Sequence, residues 1–97
     1  MSEQFFEHFL GKIIKSRGGE YHKITYTSWP DRIITFPGVP PIYVEIKKNG
    51  KVYGPSNKQR RQIERLSAKG FEAHLIDAND NGQQFLMELI DGILKKR

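Results

Sequence analysis

Pro30-Asp31-Arg32-Ile33-Ile34-Thr35-Phe36-Pro37-Gly38-Val39-Pro40-Pro41-Ile42-Tyr43-Val44-Glu45-Ile46-Lys47 is the stretch that decides the fold. Two β-branched runs flank a Pro/Gly-rich segment that no strand interior tolerates. The pattern therefore predicts strands over Asp31–Phe36 and Ile42–Lys48, and Asn49-Gly50 marks a tight turn after the second. Because side chains alternate along a strand, Glu45 and Lys47 project from one face, while Ile42, Val44 and Ile46 project from the other into a core.

Upstream, Tyr21–Thr27 alternates β-branched and aromatic residues and reads as another strand, closed by a turn around Trp29-Pro30. Before it, Phe5, Phe6, Phe9, Leu10, Ile13 and Ile14 recur in pairs every four residues, the apolar stripe of a helix over Glu3–Ser16. Gly18-Gly19 ends that helix. Glu7 sits beside the stripe rather than opposite it. Downstream, Ser56 or Asn57 can cap a helix running to Lys69, with Gly70 as its stop. Gln59, Ile63 and Leu66 share its inward face, and Lys58, Arg61, Arg65 and Lys69 its outward one. The inward placement of Gln59 suits either a side chain aimed at the sheet edge or a helix-end amide bonded to nearby backbone.

Phe71–Asp77 reads as a fourth strand. Phe85, Leu86, Leu89, Ile90, Ile93 and Leu94 repeat the paired rhythm of the first helix, and Lys95-Lys96-Arg97 reads as a frayed, solvated tail. The order is αβββαβα in a single domain spanning residues 1–97. A strand, a crossover helix and a further strand imply a parallel pair, so the expected architecture is α/β, a small mixed sheet with helices packed against it.

The 97 residues carry a formal charge of +5, unevenly spread. Between positions 47 and 69, Lys47, Lys48, Lys51, Lys58, Arg60, Arg61, Arg65 and Lys69 face one acid, Glu64. Such a stretch draws polyanions, of which a phosphate backbone is the commonest, although a basic surface also serves solubility. With no cysteine, disulfide frameworks and thiolate zinc sites are excluded. His8, His22 and His74 lack paired-ligand spacing. No apolar run has signal-peptide or membrane-spanning length, so the expected setting is the cytoplasm, with no membrane partner.

Asp31 at the head of one strand and Glu45 on the next would repel unless a divalent cation neutralised them, and all-oxygen ligation suits a hard ion such as Mg²⁺. With Lys47 alongside, the chemistry is that of a metal-dependent phosphodiesterase. Alone, the acid-loop-E-x-K spacing also fits an ordinary solvated strand face.

The wider combination is more specific. Glu7 on the first helix, Gly18-Gly19, Lys23, Pro30-Asp31-Arg32-Ile33, Val44-Glu45-Ile46-Lys47, Gly50-Lys51, Pro55, Gln59, Leu66 and Gly70 together resemble the VRR-NUC family, a branch of the PD-(D/E)xK nuclease superfamily. The resemblance runs from Glu7 to about Asp77. It implies a restriction-endonuclease-like core in which Asp31, Glu45 and the main-chain carbonyl of Ile46 bind Mg²⁺, with Mn²⁺ able to substitute. It further implies Glu7 as an outer-shell or second-ion ligand, Lys47 as the group holding the attacking water, and Gln59 orienting water or backbone near the metal. Lys23, Lys48, Lys51, Lys58, Arg61 and Arg65 would contact the phosphates of DNA.

Minimal members of the family look like homodimeric endonucleases acting on branched DNA such as four-way (Holliday) junctions, often encoded by bacteria and their viruses. One departure stands out. Ser28 occupies a position where the family commonly has glycine, and Trp29 follows it, suited to core or turn packing more than to stacking on nucleic acid. Two other readings accompany the nuclease: a non-catalytic nucleic-acid-binding module, and a nuclease subunit targeted by a larger partner.

Overall fold

A computed structural model of the chain describes residues 2–26, 29–47 and 58–96. The order is α1 (Glu3–Ser16), β1 (Glu20–Lys23), β2 (Arg32–Thr35), β3 (Ile42–Lys47), α2 (Lys58–Ala68), β4 (Glu72–Asp77) and α3 (Asp80–Lys96). This is the αβββαβα succession expected from the sequence. The four strands form one sheet in the order β1-β2-β3-β4. β1/β2 and β2/β3 are antiparallel, and β3/β4, joined through α2, are parallel.

The sheet is the middle of three layers. Phe6, Leu10 and Ile14 of α1 and Leu86 and Ile90 of α3 close over Ile34, Ile42, Val44, Ile46 and Ile76 to form the main core. On the other face, Ile63 and Leu66 of α2 pack on Ala73, Tyr43 and Leu75. Alternation along β3 therefore gives Val44 and Ile46 to the main core and leaves Tyr43, Glu45 and Lys47 on the α2 face. Burying these apolar side chains at about 25 cal/mol per Å² is the dominant stabilising contribution in so small a chain.

Local signals explain the boundaries. Ser2 caps α1 by accepting the Phe5 N–H, and Gly18 ends it at φ 84°. Gly70 ends α2 at φ 93°. Asn79 caps α3 through the Gly82 N–H at 2.9 Å. That position must be glycine, since a Cβ there would fall on the Asp77 carbonyl oxygen and within 2.8 Å of Ile76 Cγ2. Gly82→Ala is expected to destabilise the fold by about 2 kcal/mol through this overpacking, read as a lower urea midpoint; an unchanged midpoint would mean that the β4–α3 junction yields freely.

Several sequence expectations need adjustment. The first strand stops at Lys23 instead of Thr27, and β2 starts at Arg32, leaving Asp31 just before the strand. Phe71 precedes β4 and is 42% exposed. Lys95 and Lys96 continue α3 instead of fraying from it, next to the helix end whose dipole favours cations. The α2 N-cap at Ser56 or Asn57, and Lys48, fall outside the described residues. Among the described residues no helix is long and apolar enough to cross a membrane.

Candidate active site

Glu45 is the one buried charged residue among the described positions, 1% exposed in the middle of β3. Three groups converge on it. Its Oε1 accepts the Asp31 N–H at 3.0 Å, its Oε2 lies 3.3 Å from Lys47 Nζ, and the Asp31 side chain is within hydrogen-bonding reach of its carboxyl. Burial pushes the Glu45 carboxyl up from an ordinary 4.5 to about 7, the neighbouring Asp31 carboxyl adds to that, and the Lys47 ammonium opposes it. A second cation in this position would relieve what one lysine does not.

Asp31 is held through its backbone. Its carbonyl accepts from the Ile24 N–H at 2.7 Å and from Arg32 Nη1 at 3.0 Å, while its own N–H goes to Glu45. Pro30, fully buried, fixes φ just upstream. The Lys47 carbonyl accepts from the Ala78 N–H at 2.8 Å, so odd positions of β3 turn their backbone groups toward β4 and even positions, Ile46 among them, toward β2, whose pairing with β3 begins at Arg32.

Glu7 is placed differently. Its Oε1 lies 2.6 Å from Arg32 Nη2 and accepts the Tyr21 hydroxyl at 3.4 Å. Arg32 also lies over the Tyr21 ring, 5.8 Å from guanidinium carbon to centroid. Burial and then the Glu7 charge hold the Tyr21 phenol well above its ordinary range, so it remains a donor. The Arg32 guanidinium thus links the Glu7 carboxylate to the main-chain carbonyl of Asp31, and the described residues contain no group of three or more His, Asp or Glu arranged around one ion position.

Arg32 was not singled out by the sequence reading. Its signal was available: a charge inside a β-branched strand and an acid beside the apolar stripe of α1 each ask for a buried partner. Arg32→Ala is expected to cost about 2 kcal/mol of stability, because Glu7 would stay partly buried and unpaired, and to loosen Asp31. An unaltered thermal midpoint would contradict this.

Of the remaining residues with expected roles, Lys23 ends β1 and is exposed, and Arg61 and Arg65 project outward from α2 as the helical periodicity required. Lys48 and Lys51 lie outside the described residues, as do the side chains of Lys58 and Gln59. Ile46 sends its side chain into the main core. Trp29, expected to pack in the core or turn, is 38% exposed and tilts against Tyr43 with ring centroids 6.2 Å apart. Its position on a turn two residues before Asp31 leaves one side open to solvent.

Compared with family models, with curated proteins and with solved structures, the chain matches none.

Proposed function

We propose that this protein is a Mg²⁺-dependent, structure-selective DNA endonuclease of the PD-(D/E)xK kind, resembling the VRR-NUC branch, that hydrolyses phosphodiester bonds in branched DNA as a cytoplasmic homodimer. The observation that carries this reading is the buried Glu45 carboxyl, pressed against Asp31 and paired with a single ammonium. A structural ion pair needs no second carboxylate; a cation site does.

The donors present fit Mg²⁺. The ion takes one or two carboxylates and keeps several waters, so Asp31 and Glu45, with the main-chain carbonyl of Ile46, form a sufficient set. When bound, Mg²⁺ supplies Lewis acidity at the scissile phosphate and lowers the pKa of a water. The chain's own contributions are distinct. Asp31 and Glu45 would hold the cation beside β3, and the phosphate would be placed through it, since two carboxylates repel a phosphate directly. Lys47, on the same face, orients the attacking water and offsets the negative charge that accumulates on the phosphorus oxygens as the water oxygen bonds to phosphorus and the sugar oxygen departs. Arg32 acts one step removed, holding Asp31 through its carbonyl and Glu7 through its carboxylate.

Substrate preference follows from charge and symmetry. Lys23, Arg61 and Arg65 are suited to phosphates, which position a protein without reading sequence. Two copies related by a twofold axis would present two sites to the symmetry-related strands of a four-way junction. The test is cleavage of linear, flap and four-way DNA in Mg²⁺, Mn²⁺ or EDTA, with the oligomeric state measured alongside. Cutting of branched DNA by a dimer, abolished by EDTA, is the expected result. Salt-sensitive binding without cutting in any metal would identify a binding module instead, and cutting only after addition of a larger protein would identify a targeted subunit.

A further inference from the structure

The α2 face of β3 carries more than Glu45 and Lys47. Tyr43 stands two residues before Glu45 on that face, about 7 Å away along the strand. Trp29 leans on it from the turn before Asp31, and Phe71 meets it edge-on from the other side, with centroids 6.0 Å apart at 88°. Tyr26, Trp29, Tyr43 and Ile24 line a cavity of about 400 Å³ that contains almost no polar surface, although Tyr26 is 78% exposed. Of the three rings, Trp29 is exposed beside Tyr26 and Tyr43 is half-buried.

We propose that this aromatic groove is the subsite for an unpaired nucleobase of the DNA strand whose phosphate lies at Asp31 and Glu45; it rests on the nuclease reading for that phosphate, but not for the stacking itself. Position and spacing select this occupant. Tyr43 lies on the face of β3 that carries Glu45 and Lys47, so the apolar groove adjoins the candidate phosphate site. A nucleotide presents the same arrangement, a flat π surface next to a phosphate. The distance from Tyr43 to Glu45 is close to the separation of successive phosphates in an extended strand, which places a base on the rings when its neighbouring phosphate is at the carboxylates. Bases in a continuous duplex are stacked on each other and cannot enter. Those at a branch point, flap or single-stranded segment can, and stacking is tolerant of sequence because every base has a π face. Shape selectivity would then come from Trp29, Tyr43 and Tyr26, and not from the basic helix.

The chain has one tryptophan, so its fluorescence reports on this groove alone. The full chain is titrated in EDTA with a short deoxythymidine oligonucleotide and with an all-abasic oligonucleotide of equal length and charge. Quenching of Trp29 by the first and not the second, with about tenfold tighter binding of the first, is the expected result. Tyr26→Ala, a change at an exposed position, should weaken binding of the thymidine strand and leave the abasic strand unaffected. Equal affinities, absence of binding by either strand, or an unchanged emission at saturation overturns the subsite. So does an emission change that tracks protein concentration without DNA, which assigns the groove to contacts between copies. Because no metal or cleavage enters this assay, quenching by bases in a protein that never cuts DNA would reject the nuclease and retain the subsite.

Discussion

Replacing Lys47 by alanine is expected to reduce cleavage by about 10²- to 10³-fold while the protein remains folded, the size of effect seen when one preorganised donor to a developing oxyanion is removed. The side chain is 24% exposed and belongs to neither apolar cluster, so its loss forfeits little packing. Its removal also withdraws the one cation that opposes protonation of Glu45. Arginine should restore little, because its planar fork cannot take the place of a compact ammonium 3.3 Å from Glu45 Oε2. The measurement is single-turnover cleavage in Mg²⁺ beside a thermal melt. Full activity in the alanine variant, purified free of host nucleases, would remove Lys47 from the chemistry.

Glu45→Gln is expected to have opposite effects on activity and stability. Without metal, the folded carboxyl ionises near pH 7 and an unfolded one near 4.5, so between those values the native state binds more protons than the unfolded state. The stability associated with Glu45 is therefore present below about pH 4.5 and lost as the pH rises through about 7. Wild-type protein in EDTA should melt at lower temperature at pH 8 than at pH 5, and the glutamine variant should lose most of that difference. At pH 8 without metal the variant should be the more stable of the two, yet cleave nothing. Added Mg²⁺ should raise the melting temperature of the wild type at pH 8 and leave the variant unmoved, since a ligand stabilises only the state that binds it. A variant less stable than wild type at pH 8 would mean that Glu45 is a structural partner of Asp31 and Lys47.

Much of the fold was legible because periodicity reports directly on burial. Phe6, Leu10 and Ile14 of α1, Leu86 and Ile90 of α3 and the even positions of β3 join the main core, whereas Phe5 and Phe85, expected in the same stripes, are exposed at 61% and 46%; Gly18 and Gly70 take the left-handed conformation that ends each preceding helix. Strand lengths were less legible. Ile24 and Thr25 have strand-like composition, but the chain leaves the sheet to form the turn before Asp31, a tertiary requirement that β propensity does not carry. At the candidate site, strand alternation put Glu45 and Lys47 on one face, but the spacing alone fitted a solvated strand face as well; the burial of Glu45 and its bond to the Asp31 N–H depend on the assembled sheet and helices. The Arg32–Glu7 pair was not legible, because it links two elements whose relative placement is set by the whole core. The same holds for the aromatic groove: Tyr26, Trp29, Tyr43 and Phe71 are scattered along the sequence and meet only when β3 and the turns are assembled.

The most direct measurement is a Mn²⁺ titration of the metal-free protein at pH 8, following the free ion by electron paramagnetic resonance, with Asp31→Asn and Glu45→Gln in parallel. Saturable binding by the wild type that each substitution abolishes is the expected result. Binding of equal strength in all three proteins, or none in the wild type at millimolar Mn²⁺, would contradict a cation held between Asp31 and Glu45.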